Sequence, residues 1–451
     1  MATANLDTTS NGGGGGAALA LLSEFDYFKP QVLQAAIVDE YEEAVLCSNL
    51  TAHGSTLDFE VPGESNVYRD LSNSYLEVKC KVVKGVAPNT SAIVATDAVS
   101  PVNNLLHSMF SDCEVTVCGT RITDKESHYP YRAVIEQLLS SSPEVLATRA
   151  KTAGWDLDMD AGAMDRLLLS TVDSVTPNPQ FLSRRATIVG SRTLTLVGRL
   201  HADLFHQDLD LPPNCRIGVK LTRATNEFAL MAADGSAYKI EILSATLFVR
   251  SKEVTPEVIE AHRELLREHN FRIPFTQVNL RTFQIGRGMT SATFPNVFTD
   301  KIPKRIVVAL VQQNRMTGKS ELNPFKMEHF DLQRLTVTVG GKSIPALPLS
   351  MDYSAKDYQR AYLNTLGALG LDVGNRSIVL TPELWESAYN LYAFKLVPGP
   401  TQGSVESTRQ RGAVNLSFSF KTATTSSIEV LVYSETNRTL EITATNKAFV
   451  I

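Results

Sequence analysis

A chain of 451 residues is too long for one ordinary core and implies two or three domains. Hydrophobic residues make up 43% and charged residues 20%, the balance of a folded protein, which excludes a disordered or fibrous chain. A formal net charge of -5 argues against a protein whose main task is neutralising nucleic-acid phosphates.

The first 22 residues, with the run NGGGGG at 11 to 16, are small, polar and glycine-rich, and a flexible N-terminal arm is expected over 1–44. Its apolar run AALALL is too short and wrongly flanked for a secretory signal, and no stretch is long enough to span a bilayer. The sequons at Asn49, Asn89, Asn375, Asn415 and Asn437 therefore read as chance matches. Five cysteines (Cys47, Cys80, Cys113, Cys118 and Cys215) at irregular spacings, without a CxxC pair, read as reduced thiols.

From Leu57 the chain turns β-rich. In SYLEVKCKVV, Leu76, Val78, Cys80 and Val82 alternate with Tyr75, Glu77, Lys79 and Lys81, the mark of a half-buried strand. Further strands are expected at CEVTVCGTRI, RTLTLVGRLHADLF, CRIGVKLTRA and YKIEILSATLFV. The segment TPEVIEAHRELLREHN predicts a helix over 255–270, capped by Thr255 with Pro256 at its first position. Strands resume at FTQVNLRTFQI, KRIVVALVQQ, LTVTVGGKSI, LYAFKLV, AVNLSFSFKT and SSIEVLVYSE. A second helix is expected from Ser354, with Ser354 and Asp357 as a capping box.

The two halves share phrases in one order. VTVCGTRI at 115–122 returns as VTVGGKSI at 337–344, YRAVIEQLL from Tyr131 as QRAYLNTLG from Gln359, and IEIL from Ile240 as IEVL from Ile428. From Arg132 to Ile240 is 108 positions and from Arg360 to Ile428 only 68, so the first half carries about 40 extra residues, placed within 141–191. A loop of that length, with Trp155, several acids and TPNPQ, is expected to face outward, because burial would strand its backbone polar groups. The layout expected is a first jelly roll over 45–254, a linking helix over 255–270 and a second jelly roll over 271–451.

Catalytic and metal patterns are weak. DLDMDAG begins like a calcium loop, with Asp156, Asp158 and Asp160 at its first, third and fifth positions, but Ala161 replaces the turn glycine and Leu167 the closing glutamate. His201 and Asp203 would share a strand face with His206 close behind, a conceivable metal cluster, but burial already explains the alternation. GxSxG, HExxH, Walker and Rossmann patterns are absent. The clusters KIPKR at 301–305 and SRR at 183–185 could touch phosphate, although short charge runs usually just solvate a surface. No catalytic, cofactor or metal residue is therefore assigned, and the chain is not expected to be an enzyme.

LSNSYLEVKCKVVKG at 71–85, VSPVNNLLHSMFSDCEVTV at 99–117, YPYRAVIEQLL at 129–139, LVGRLHADLFHQD at 196–208, NPFKMEHFDL at 323–332 and VYSETNRTLEI at 432–442 resemble the major capsid proteins of the Polinton/Maverick and adintovirus group. The resemblance covers roughly 45–451 in order. It implies an all-β double jelly roll: two eight-stranded antiparallel β-sandwiches side by side, with a few short helices. It further implies a homotrimer of pseudo-hexagonal outline, in contact with neighbouring capsomers and with penton and minor capsid proteins. Such capsomers form an icosahedral shell in a virion assembled in the host nucleus or cytoplasm, enclosing double-stranded DNA without sequence-specific binding. Two readings stand beside it: a jelly-roll amidase-like enzyme, which would need convergent acids in a cleft, and a host-domesticated binding module.

Overall fold

The computed structural model describes residues 34–86, 89–124, 128–233, 238–299, 301–373, 375–397 and 411–451. In the first half, β1 (Ile37–Leu46), β11 (Tyr238–Val254), β3 (Val67–Val86) and β4 (Asn89–Ala92) lie side by side in that order, and β8 (Leu194–Gly198) also pairs with β3. A second sheet runs β2 (Thr56–Val61), β9 (Ile217–Arg223), β6 (Phe110–Val117), β7 (Thr120–Arg121). A small ribbon joins β5 (Val99–Pro101) to β10 (Leu230–Ala232).

The second half repeats this plan. Its five-stranded sheet runs β12 (Phe271–Ile285), β19 (Ile428–Ile442), β14 (Arg305–Gln312), β17 (Leu391–Lys395), with β20 (Ala448–Val450) also on β19. Its four-stranded sheet runs β13 (Ser291–Phe298), β18 (Val414–Phe420), β15 (Leu332–Val339), β16 (Lys342–Ser350). All the ladders are antiparallel. Each half thus shows a five-stranded and a four-stranded sheet among the described residues, nine strands where eight were expected, because the long strands β3 and β19 also hold the short β8 and β20, and the first half adds the two-stranded β5/β10 ribbon.

Alternation sets the register. Leu76, Val78, Cys80 and Val82 on β3 are all buried while Lys79 is exposed, so a one-residue slip would reverse the two faces. β14 reads RIVVALVQ, and Ile306 to Val311 are buried without interruption, the pattern of a strand covered on both faces.

The repeated phrases occupy matching places. VTVCGTRI forms the β6/β7 hairpin and VTVGGKSI the β15/β16 hairpin, each at the same end of its four-stranded sheet. Both turn through two residues of positive φ, Cys118 (50°) with Gly119 (79°) and Gly340 (54°) with Gly341 (82°), the primed turn whose twist matches the flanking strands. The matching helices are Tyr129–Ser140 and Gln359–Leu369, and IEIL and IEVL lie in β11 and β19, each second in its five-stranded sheet.

Five expectations need correction. Residues 37–44 belong to β1 and not to a flexible arm; the strand has no alternating pattern because only Val45 in it is buried, and it is held by backbone pairing to β11 and by ion pairing of Glu43 to Arg69 at 2.5 Å. Residues 1–33, the glycine run included, lie outside the described residues. Ser354 caps nothing: the helix starts at Gln359 after Tyr358, and Asp352 instead accepts the Ala355 amide at 3.2 Å in the preceding turn. Strand β8 stops at Gly198, and Asp203–His206 forms a turn of 3-10 helix. The linking helix spans Pro256–Leu265 after Thr255, whose hydroxyl makes no cap hydrogen bond.

The fifth correction concerns the insertion. Much of 141–191 is buried: Trp155, Leu157, Met164 and Phe181 sit in one core with Phe325, Trp385 and Tyr389 of the second half. Its backbone is not stranded, because Arg184 donates to the carbonyl of Asp156 (2.6 Å) and the Tyr389 hydroxyl to that of Asp158 (3.1 Å). Its longest exposed run is its tip, 170–176, and further exposed residues such as Thr148, Arg149, Lys151 and Asp160 lie along it.

Candidate functional site

The seam between the halves holds two clusters of charged and polar side chains. One forms around the helix Tyr129–Ser140, whose i, i+4 spacing sets Arg132 beside Glu136 with Nε 2.8 Å from Oε1. Arg132 also reaches Asp203 Oδ1 at 2.7 Å, which in turn accepts the amide of Val278 on β12 at 3.1 Å. From β19, the Tyr433 hydroxyl lies 3.4 Å from Glu136 Oε1 and 3.1 Å from Glu435, which pairs with Arg305 of β14.

On the other side of Glu136 stand histidines. His201 Nδ1 is 2.6 Å and His206 Nε2 3.7 Å from Oε2, and the three ligand-capable atoms lie within 4.8 Å of one another. His201 is held by its amide, which donates to the Tyr129 hydroxyl at 3.2 Å, and by the ring of His107 packed edge-on at 4.6 Å. His107 Nδ1 pairs with the same hydroxyl at 2.9 Å.

Burial and charge compete here. Burial opposes ionisation of Glu136, but Arg132 and the His201 hydrogen bond outweigh it and hold the carboxyl well below its ordinary range. At Asp203 burial wins over Arg132 and pushes the carboxyl up to about 6. Burial, reinforced by neighbouring His201, keeps His107 neutral far below its ordinary pKa.

The second cluster is a clamp. Arg184 pairs with Asp158 (3.1 Å), whose carboxylate also accepts from Asn178 (2.8 Å) and, across the seam, Asn323 (3.0 Å). Arg315 of the second half forks onto Asp165 at 2.6 and 2.8 Å. Of the acids of DLDMDAG, Asp158 is clamped and Asp160 accepts the Gly162 amide at 3.0 Å. The basic clusters are structural too, since Arg184 is buried, Arg185 donates to the carbonyl of Asp97 at 2.9 Å, and Lys301 donates to that of Asn437 at 2.7 Å.

Of His201, Asp203 and His206, the structure brings the two histidines together, on a loop and a 3-10 turn and not on a strand face, while Asp203 turns to Arg132. Glu136 was missed, because its bond to His201 spans 65 positions and a glutamate on a helix carries no signal of its own. A groove of about 400 Å³ at the seam is lined by Tyr131, Phe228 and Met316 among others, with Glu429 as the one acid among the described residues that line it. All five cysteines are free, and no described helix is long and apolar enough to cross a membrane.

No family model matches the sequence. An uncharacterized protein of Caenorhabditis elegans, F54H12.2, is 21% identical over 389 residues, covering 84% of this chain and 89% of its own. Among solved structures, a chain of the Sputnik virophage superposes with a TM-score of 0.62 at 10% identity, covering 97% of this chain and 93% of that one. The Faustovirus major capsid protein gives 0.56 at 9% identity, with 94% and 93% covered. The mavirus major capsid protein gives 0.50 at 10% identity, with 98% and 97% covered. The fold is the double jelly roll, over both halves of the chain.

Proposed function

We propose that the chain is a major capsid protein of the Polinton/Maverick and adintovirus type, built to form homotrimeric, pseudo-hexagonal capsomers. The observation that carries this reading is the repetition of one five-plus-four-strand frame within a single chain, aligned along nearly its whole length with viral capsid proteins. Duplication gives a trimer six similar sandwiches to offer a hexagonal lattice while each copy varies its loops independently. In this reading 37–254 and 271–451 are the two jelly rolls and 255–270 the link. Capsomers meet one another and the penton and minor capsid proteins in an icosahedral shell around double-stranded DNA, and the residues assigned to catalysis are none.

Three upright copies about a threefold axis close their flanks in head-to-tail contacts, and obligate interfaces of this kind bury over roughly 2,000 Å². Sedimentation at micromolar protein is expected to give three times the chain mass, with hexagonal outlines in negative stain. A stable monomer or dimer would overturn the reading.

A further inference from the structure

We propose that Glu136, His201 and His206 form a binding site for one divalent cation of the zinc class, on the first-half side of the seam. The inference stands on the geometry of these three side chains and does not rest on the assembly reading.

The two oxygens of Glu136 have separate partners. Oε1 is engaged by Arg132 at 2.8 Å and approached by Tyr433 at 3.4 Å, which fixes the carboxylate plane and leaves Oε2 facing both imidazoles. Ligating carboxylates and histidines are typically oriented by such outer hydrogen bonds. His201 is positioned from behind in the same way, by Tyr129 at its amide and His107 against its ring.

The spacing needs little adjustment. Zinc bonds of about 2.0–2.1 Å place tetrahedral ligand atoms about 3.4 Å apart. His201 Nδ1 would retreat from 2.6 Å and His206 Nε2 approach from 3.7 Å, each by less than roughly 1 Å, and the two imidazole nitrogens, within 4.8 Å of each other, would close by up to about 1.4 Å. The His206 side chain is 42% exposed, so the ring can move, and the fourth position opens to solvent for a water.

Donor chemistry selects the ion. Two imidazoles and one carboxylate suit zinc and its neighbours, whereas calcium and magnesium require oxygen ligands almost exclusively. Arg132 is shared between Glu136 and Asp203, and Arg305 pairs with Glu435, so the carboxylates of the cluster outnumber its guanidinium groups by one and Glu136 Oε2 is left to the imidazoles.

The test is isothermal titration of the metal-stripped full-length protein with zinc chloride, together with elemental analysis after dialysis. One zinc per chain with a micromolar or tighter Kd is expected, weakened at least tenfold in His206→Ala and unchanged in the control His53→Ala. Cobalt chloride added to the wild-type protein should give the intense visible bands of a tetrahedral site, a readout independent of any variant's folding. Absence of stoichiometric zinc, equal affinity in His206→Ala, or only octahedral cobalt bands would each overturn the proposal.

Discussion

The two halves share a frame and differ in what they lend each other. The first half sends Trp155, Leu157, Met164 and Phe181 from its insertion, and Tyr131, Ile135 and Leu138 from its helix, into the core built by the second half. The second half returns less: Ile273 and Phe275 at the start of β12, and Leu440, Ile442 and Ala448 at the end of the chain, join the first half's core. The insertion therefore did not give the first half a surface ornament. It made the second half's core dependent on the first, so the duplicated frame works as one unequal unit.

The most severe way to break that comparison is to separate the halves. Expressed alone, residues 271–451 are expected to lack cooperative unfolding, because Phe325, Trp385 and Tyr389 would lose the side chains packed against them. Thermal melting followed by near-ultraviolet circular dichroism decides it: a sharp transition in the isolated half would show that the loan is dispensable.

A smaller cut targets the clamp. Arg184→Met strands the carboxylate of Asp158, whose side chain is 1% exposed, and breaking a buried pair from one side costs about 3–5 kcal/mol. Arg315→Met should cost distinctly less, since Asp165 keeps 29% of its side-chain exposure and can return to water. Urea midpoints of the two variants measure the difference, and equal losses would mean that burial does not govern the clamp.

Alternation made the strands legible, and the spacing of three repeated phrases exposed the duplication, because both signals are local and periodic. β1 was not legible: IVDEYEEAVL buries only Val45, so its place depends on partners over 200 positions away in β11. The fate of the insertion was hidden for a similar reason. Arg184 and Tyr389 satisfy its backbone polar groups, and nothing in SRR or SAYN identifies which carbonyls those side chains will find. The histidine cluster was half visible, through His201 and His206, while its carboxylate came from a distant helix.

That cluster has no counterpart at the matching helix of the second half, where Arg360 instead donates to the carbonyls of Leu347 (2.6 Å) and Pro348 (3.0 Å), so acid should strike the halves unequally. His107 is fully buried and neutral when folded, with its pKa depressed by burial, whereas the unfolded chain takes up its proton near pH 6.5. Its contribution is therefore present above about pH 6.5 and lost as pH falls, by up to about 1.4 kcal/mol per pH unit. His107→Phe should flatten the dependence of the urea midpoint on pH below about 6.5. An unchanged slope would move the acid sensitivity to another group.

The gentlest test asks whether the two hairpins are still equivalent. Gly119 and Gly341 both hold the second turn position with φ near 80° (79° and 82°), and a Cβ at either would meet nothing within 4 Å. With no clash to pay for, Gly→Ala at each site costs only the left-handed backbone conformation, roughly 1–2 kcal/mol. The contacts around the two turns differ, since Thr120 next to Gly119 donates to the Ala448 carbonyl at 2.9 Å and ties the first hairpin to the chain's end. If the backbone alone sets the cost, Gly119→Ala and Gly341→Ala should lower the urea midpoint equally. A clearly larger loss at Gly119 would show that this hairpin, unlike its twin, has become part of the seam.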